Sequence, residues 1–216
     1  MKLEVLGLNQ SPSFSPTCHT VIPPSTALSP GHLMIAPFRH VGEIESLTAE
    51  EHATTLWAAT RSFDGDAPGG LVDLYLIVNA VEGVASGAYF YRSATHALET
   101  LATGEFRNRS AYLCLEQPLG GDAAAVIYFL ARLDLITRAF GDRGYRLANL
   151  EAGLAGGRAY LAAYAQGFGA SGLTFYDGHV VEFFSPHAAG KDAIFVTALG
   201  RSGVRGRVTI KSNLTA

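Results

Sequence analysis

Basic side chains cluster near the carboxyl-terminal end of the sequence, where they could bind an anion. Arg201 follows an apolar segment that is typical of a buried strand, and Arg205, Arg207 and Lys211 come after it. An arginine presents a planar fork of hydrogen-bond donors that suits carboxylate and phosphate groups. The alternative is a solvated arginine at a strand end, because basic runs of this kind are usually solvated. The residues alone leave both interpretations open.

Other residue types that do chemistry lack a recognisable pattern. No Ser-His-Asp arrangement, HExxH zinc motif or phosphate-binding P-loop is present. His179 and His187 stand in predicted loops without an evident partner, and His96 is expected at the surface. Cys18 and Cys114 form neither a CxxC motif nor the Cys/His spacing of a zinc site, so no metal centre is predicted. Hydrolase and nucleotidase functions have no support.

The composition is that of a globular chain with apolar surface to cover. The 216 residues are 48% hydrophobic and 16% charged, and the net charge of -3 predicts no nucleic-acid or membrane partner. An obligate oligomer would bury the surplus apolar surface. Cys114 lies in an apolar pattern and is expected to be a buried thiol, which suits a reducing cytosol. The first residues lack the apolar core of a signal peptide, so a cytoplasmic location is expected.

The chain divides by composition into an amino-terminal arm and one domain. Residues 1–37 are rich in Pro, Ser and Thr and are predicted to be extended or partly ordered, and residues 38–216 are predicted to form the domain. Within the domain, Thr48 is the expected N-cap of a first helix that ends near Thr60. Patterning predicts strands at 71–81, 87–91, 110–116 and 193–199, and helices at 95–102, 122–140 and 147–167. The expected architecture is α+β, with a small central sheet flanked by long buried helices.

Glycines interrupt the last predicted helix at Gly153, Gly156 and Gly157. Each glycine costs about 1 kcal/mol relative to alanine in a helix interior, so a close approach of another group must offset the cost. Helix packing is one explanation, and approach to a bound cofactor is the other.

Four stretches, taken in order, resemble the flavin-dependent nitroreductase superfamily, and within it the SagB/ThcOx-type branch. The resemblance covers about residues 47–201. The stretches that carry it are Leu74-Tyr-Leu-Ile-Val-Asn-Ala-Val-Glu-Gly-Val with the following Gly87-Ala-Tyr-Phe-Tyr, Arg138-Ala-Phe-Gly-Asp-Arg-Gly-Tyr-Arg-Leu, Leu150-Glu-Ala-Gly, and Leu173-Thr-Phe-Tyr-Asp leading to Ala198-Leu-Gly-Arg201. The resemblance implies a dimeric, nitroreductase-like α+β fold with a mixed or antiparallel sheet. It also implies FMN at the subunit interface, cycling by hydride transfer at flavin N5.

Carried over by position, the resemblance places residues of this chain beside the flavin ring. Backbone groups of Thr174 and Phe175 would face N5. Arg61 matches the arginine before the branch's Pro-Ser-x-Gly flavin loop, whose place here reads Asp-Gly-Asp-Ala and includes Gly65. The alternative for Arg61 is a loop arginine paired with one of those aspartates.

The phosphate end departs further from the pattern of the branch. Arg201 matches the basic residue that reaches the phosphate, and Arg158 could replace a missing contact, although a salt bridge on the helix surface would also explain it. The branch's amino-terminal Arg-x-Ser-x-Arg clamp is reduced to Arg39, with Glu43 and Glu45 nearby.

Two functions of different classes therefore remain. The first is an FMN-dependent oxidoreductase that acts on a small molecule or peptide, in modified-peptide or natural-product assembly. Ala139-Phe140 stands where azoline-oxidising members carry a Lys-Tyr pair, so no catalytic acid or base is assigned. The second is a cofactor-free structural or regulatory subunit that pairs with an active partner. The first function implies a homodimer, and the second implies a heterodimer with a related chain.

Overall fold

The computed structural model describes residues 46–61 and 68–201, together with the backbone of two short strands nearer the amino terminus. These strands, β1 (His19–Val21) and β2 (Ile35–Pro37), pair antiparallel and belong to one compact unit. A second unit runs through residues 44–201 and holds every other element. The rest of the predicted arm, residues 1–37, lies outside the described residues.

The second unit alternates strands with helices along the chain. In order, its elements are α1 (Ala49–Ala59), β3 (Val72–Val78), β4 (Gly87–Arg92), β5 (Ala97–Thr103), α2 (Arg107–Leu113), α3 (Pro118–Asp122), β6 (Ala125–Ala131), α4 (Leu133–Phe140), α5 (Arg143–Ala165), β7 (Gly169–Gly172), α6 (Asp177–Phe184) and β8 (Asp192–Gly200).

The six strands of this unit form one antiparallel sheet in the order β5-β4-β3-β6-β8-β7. Its centre is β6, in which every residue is buried. Alternate side chains of β3 enter two separate cores: Leu74 and Leu76 on one face, Tyr75 and Ile77 on the other. The predicted α+β class with a central antiparallel sheet is confirmed.

Helices cover both faces of the sheet. Leu56 of α1 and Ala155 and Ala159 of α5 pack into the core beneath Leu74. On the opposite face, α2 and α6 pack against Tyr75, with Phe184 ring-to-ring at 5.1 Å between centroids. Because the central strand β6 is covered on both faces, it is apolar throughout instead of alternating.

A capping box begins α1. The Thr48 hydroxyl accepts a hydrogen bond from the Glu51 N–H at 3.2 Å, and the Glu51 carboxylate accepts one from the Thr48 N–H at 2.9 Å. Two donors that a helix start leaves without partners are thereby satisfied. The predicted N-cap is confirmed.

The predicted helix at 122–140 is wrong. Asp122, its expected N-cap, is the last residue of α3, and the apolar run that follows is the central strand β6. Only 133–140 is helical, and Gly141 follows α4 with a φ of 61°. A continuous apolar run is typical of a strand buried on both faces as well as of a buried helix. Here β6 and α4 follow one another with one residue between them, so the two elements together had the length of one long helix.

Two shorter predictions are also wrong. Residues 97–103 form β5, which pairs with β4 across a turn in which His96 has a φ of 52°, and not a helix. Residues 107–113 form α2 instead of a strand. Gly120 and Gly121 of α3 allow the close contact with α2, since a Cβ on Gly120 would lie 2.8 Å from the Cβ of Cys114. Cys114 is fully buried, as predicted.

The long helix α5 begins at residue 143, four residues before its predicted start, and packs on β8 through Gly156. A Cβ at that position would lie 2.5 Å from Cε1 of Phe195, whereas Gly153 and Gly157 have open space around them. Close packing therefore explains Gly156 alone. Among the described helices, α5 included, none is both long and apolar enough to cross a membrane.

Glu151 ties α5 to the entrance of β3. Its carboxylate accepts hydrogen bonds from the N–H groups of Gly70 at 2.8 Å and Leu71 at 2.7 Å. The structure shows a contact across 80 residues that fixes where the chain enters the sheet.

Candidate functional site

Arg201 leaves the end of β8 and meets the first turn of α1. Its Nη1 donates to Glu51 Oε2 at 3.0 Å and to the Ser46 carbonyl at 3.3 Å, and its Nη2 contacts Glu51 Oε1. The ion pair is partly buried, with side-chain exposures of 26% for Arg201 and 17% for Glu51. Of the two alternatives, Arg201 is not a freely solvated arginine, because a carboxylate of the protein itself holds it.

The charge state of Glu51 follows from these contacts. The hydrogen bond from Arg201 lowers the pKa of Glu51 to about 2, with a smaller contribution from Thr48, and these outweigh the opposing effect of burial. Glu51 is therefore an anion at neutral pH. One carboxylate both closes the capping box and neutralises Arg201.

Residues 173–176 form an extended bridge between β7 and α6. The bridge is fixed at each end, by the Leu173 N–H to the Val196 carbonyl at 3.1 Å and by the Tyr176 N–H to the Leu113 carbonyl at 3.0 Å. Gln117 holds its middle, since its Nε2 donates to Thr174 Oγ1 at 2.8 Å and to the Thr174 carbonyl at 3.2 Å.

The bridge presents two adjacent backbone donors. Within the part of the chain that the structure describes, the N–H groups of Thr174 and Phe175 have no hydrogen-bond acceptor. Thr174 is exposed, while the Phe175 ring packs partly into the core. Backbone donors that the fold leaves without an acceptor can bind an acceptor-rich ligand without reorganising.

Arg61 and Arg158 meet at the other end of α1. Nη1 of Arg158, on α5, donates to the Arg61 carbonyl, and the Arg61 guanidinium lies 4.3 Å from the Trp57 ring centroid. Since α1 has 11 residues, this pair stands about 16 Å along the helix from Arg201. Gly65, and with it the predicted pairing of Arg61 with an aspartate, lies outside the described residues.

Lys191 belongs to a cluster that the sequence did not reveal. Its Nζ lies 2.7 Å from Asp73 Oδ2 and 2.7 Å from the Tyr75 hydroxyl, which in turn lies 2.8 Å from Nδ1 of His187. Burial alone would lower the pKa of Lys191, but the bonds to Asp73 and Tyr75 raise it overall. Lys191 is therefore a fixed cation and hydrogen-bond donor and not a base. The partners are more than 100 residues apart, so no sequence signal joined them.

The Lys191 side chain, 13% exposed, reaches a cavity of about 510 Å³. Phe175 of the bridge is also part of its wall. The wall further contains Leu133, Tyr145, Asn149, Asp177, Gly178, Val181, Asp192, Ala193 and Ile194. The cavity is large enough for a small organic ligand, and Phe175, one of the two bridge residues whose N–H lacks an acceptor among the described residues, lies in its wall. No cluster of three or more possible metal ligands occurs among residues 46–61 and 68–201.

Comparison with known proteins gives consistent results. The chain is 30% identical over 112 residues to MJ1384 of Methanocaldococcus jannaschii, whose name assigns it as a nitroreductase, and the match covers 51% of this chain and 57% of that protein. A crystal structure described as a nitroreductase from Anabaena variabilis matches 76% of this chain and 36% of its own, with a TM-score of 0.65 and 30% identity. The chain therefore spans little more than half of the first relative and about a third of the second.

A third match shows the fold alone. It is a chain of the Escherichia coli microcin synthetase McbBCD complex with truncated pro-MccB17 bound, at a TM-score of 0.58 and 21% identity, covering 91% of this chain and 77% of that one. The sequence profile of the nitroreductase family matches residues 45–194, which is more than half of the chain. The chain belongs to the nitroreductase family.

Proposed function

We propose that this protein is an FMN-dependent oxidoreductase of the SagB/ThcOx type. Members of the nitroreductase family generally use FMN, which accepts and donates a hydride through its N5 atom. The observation that carries the proposal is the bridge 173–176, which presents two adjacent backbone donors beside a cavity.

The bridge fits the ring of the cofactor. The N–H groups of Thr174 and Phe175 would donate to acceptor atoms at the flavin N5 edge, and backbone donors suit this task because their direction is set by the fold. Gln117 would keep the bridge in place when the ring binds or leaves, through its two hydrogen bonds to Thr174. The half-buried Phe175 would help to keep water away from that edge.

Arg201 would bind the phosphate, at the start of α1. It is fixed at the end of a central strand, and its fork of donors suits a dianion. Arg61 and Arg158, at the opposite end of α1, remain proposed contacts with the cofactor, as does Gly65, which lies outside the described residues. In this arrangement the protein supplies binding and orientation, and the cofactor supplies the redox chemistry.

A dimer would complete the site. The exposed face of α5 carries a stripe at successive helical turns, formed by Leu150, Gly153, Gly157, Leu161 and Tyr164. Apolar side chains that alternate with glycine on one helix face suit close packing against a second subunit. Leu161 is 72% exposed in the single chain, and a subunit interface on this face would bury it.

We propose a small molecule or peptide of natural-product assembly as the substrate. The similarity to a chain of the microcin synthetase complex supports this substrate class. The cavity beside Phe175 would receive the substrate, with Lys191 as a donor in its wall.

The test is the flavin content of the full-length protein. Purified protein should carry FMN through desalting, or take it up on reconstitution, with one flavin for each chain and quenched flavin fluorescence. A correctly folded preparation that binds no FMN, even in excess, would refute the proposal.

The alternative function is a cofactor-free subunit that pairs with a related active chain. The ion pair between Arg201 and Glu51 favours it, because the expected phosphate ligand is already neutralised by a carboxylate. This alternative predicts a colourless protein that forms a stable complex with a second chain of the same family. A homodimer with two bound flavins, shown by light scattering and absorbance, would exclude it.

A further inference from the structure

Glu51 contacts the arginine that the proposed function assigns to the cofactor phosphate. Both oxygens of its carboxylate contact the guanidinium of Arg201, one of them through a 3.0 Å hydrogen bond. The same carboxylate accepts the Thr48 N–H, so it sits directly over the first turn of α1. Glu51 thus makes to Arg201 the two-oxygen contact that a phosphate would make.

Arg201 cannot serve both anions through the same donors. Its Nη1 and Nη2 both contact Glu51, and Nη1 also donates to the Ser46 carbonyl. A phosphate bound beside an unmoved Glu51 would meet a like charge in a partly desolvated place, where repulsion is stronger than in water. A phosphate bound instead of Glu51 must first displace the carboxylate.

We propose that Glu51 is an internal competitor for the cofactor phosphate, so that FMN binds by displacing the Glu51 carboxylate from Arg201. This inference rests on the proposed function and adds a determinant of cofactor specificity to it. The ring is held by the bridge 173–176 and does not contact Glu51. Glu51 therefore weakens binding of FMN but not of riboflavin, which carries the same ring without phosphate.

The chain offers a variant that removes only the charge. Glu51→Gln keeps the capping box, because glutamine serves at this position as glutamate does, and it keeps an amide oxygen for Arg201. Glu50 provides the matched control. It is exposed on the same turn, and its side chain makes no hydrogen bond or ion pair among the described residues.

The experiment titrates FMN and riboflavin into the full-length wild-type, Glu51→Gln and Glu50→Gln proteins and follows quenching of flavin fluorescence. We expect Glu51→Gln to tighten FMN binding by about tenfold or more, since one unit charge is removed beside a dianion. Riboflavin binding should change by less than about twofold, and Glu50→Gln should change neither Kd by more than that.

Two further proteins keep the test decisive, Arg201→Gln alone and Arg201→Gln combined with Glu51→Gln. Glu51→Gln combined with Arg201→Gln leaves a neutral pair, and FMN should then bind no more tightly than riboflavin. The inference is overturned if Glu51→Gln leaves the FMN Kd within about twofold, tightens both flavins equally, or tightens FMN equally in the Arg201→Gln background. If no variant binds either flavin, the proposed function itself fails and the inference falls with it.

Discussion

Replacing Gly156 with alanine adds a methyl group where α5 lies closest to β8. That carbon would stand 2.5 Å from Cε1 and 2.9 Å from Cδ1 of Phe195, against about 3.5–4.0 Å for an ordinary carbon contact. The Phe195 ring would have to move by about 1 Å. Its packing on Phe129, at 5.6 Å between ring centroids, limits this movement.

Two opposing contributions set the expected size of the effect. Alanine is favoured over glycine in a helix interior by about 1 kcal/mol, and overpacking a filled core costs about 1–3 kcal/mol. Gly156→Ala should therefore lower the free energy of unfolding by about 1 kcal/mol overall. Gly153→Ala and Gly157→Ala meet no atom within the chain, so they should raise it by about 0.5–1 kcal/mol when Leu161→Glu has removed the proposed subunit contact.

Urea unfolding at one protein concentration measures all three variants, with the shift in midpoint read at constant slope. The double variant Gly156→Ala/Phe195→Leu has a smaller side chain at position 195. It should recover part of the unfolding free energy lost in Gly156→Ala, because the two residues are in contact. Equal stabilisation by all three alanines would refute the assignment of Gly156 to helix–sheet packing. In the protein with Leu161 intact, loss of stability at Gly153 and Gly157 as well would support the proposed packing of this face of α5 against another subunit.

Three further predictions address pH, the α5 tether and assembly. Burial lowers the pKa of His52 to about 4, so the free energy of unfolding should fall as the pH drops below 6.5, by about 2 kcal/mol at pH 5. Urea unfolding of His52→Gln should not show this decrease. Glu151→Gln loses one of two charge-assisted hydrogen bonds from the backbone and should unfold more easily by about 1–3 kcal/mol, while Glu182→Gln, exposed on α6, should not. Leu161→Glu should convert a dimer into a monomer by light scattering, while Leu115→Glu, beyond α2, should leave the assembly unchanged.

Local signals predicted those elements whose patterns allow a single interpretation. Thr48 predicted the start of α1. Polar and glycine residues on both sides of the apolar runs at β3 and β8 indicated where these strands begin and end. The run that became β6 was ambiguous, because the strand is buried on both faces and α4 follows after one residue. Partners in space decide such a run, and β6 has strands on both sides.

The sequence predicted only those residues of the candidate site that lie in the motifs of the family resemblance. The family resemblance pointed to Thr174, Phe175 and Arg201, but nothing in the sequence paired Arg201 with Glu51, 150 residues away. Gln117 was missed for the same reason, since it reaches Thr174 across 57 residues. Contacts of this kind depend on the order in which the strands pair, which local sequence patterns do not predict.

If the proposed cofactor displaces the Glu51 carboxylate from Arg201, the capping box at the start of α1 should report it. A carboxylate that turns away would leave the Thr48 N–H without the acceptor that it has at 2.9 Å. That amide should then exchange its hydrogen with water more quickly, while amides in the middle of α1 keep their partners. Hydrogen exchange at this amide would therefore record whether the phosphate end of the site is held by the protein itself or by its ligand.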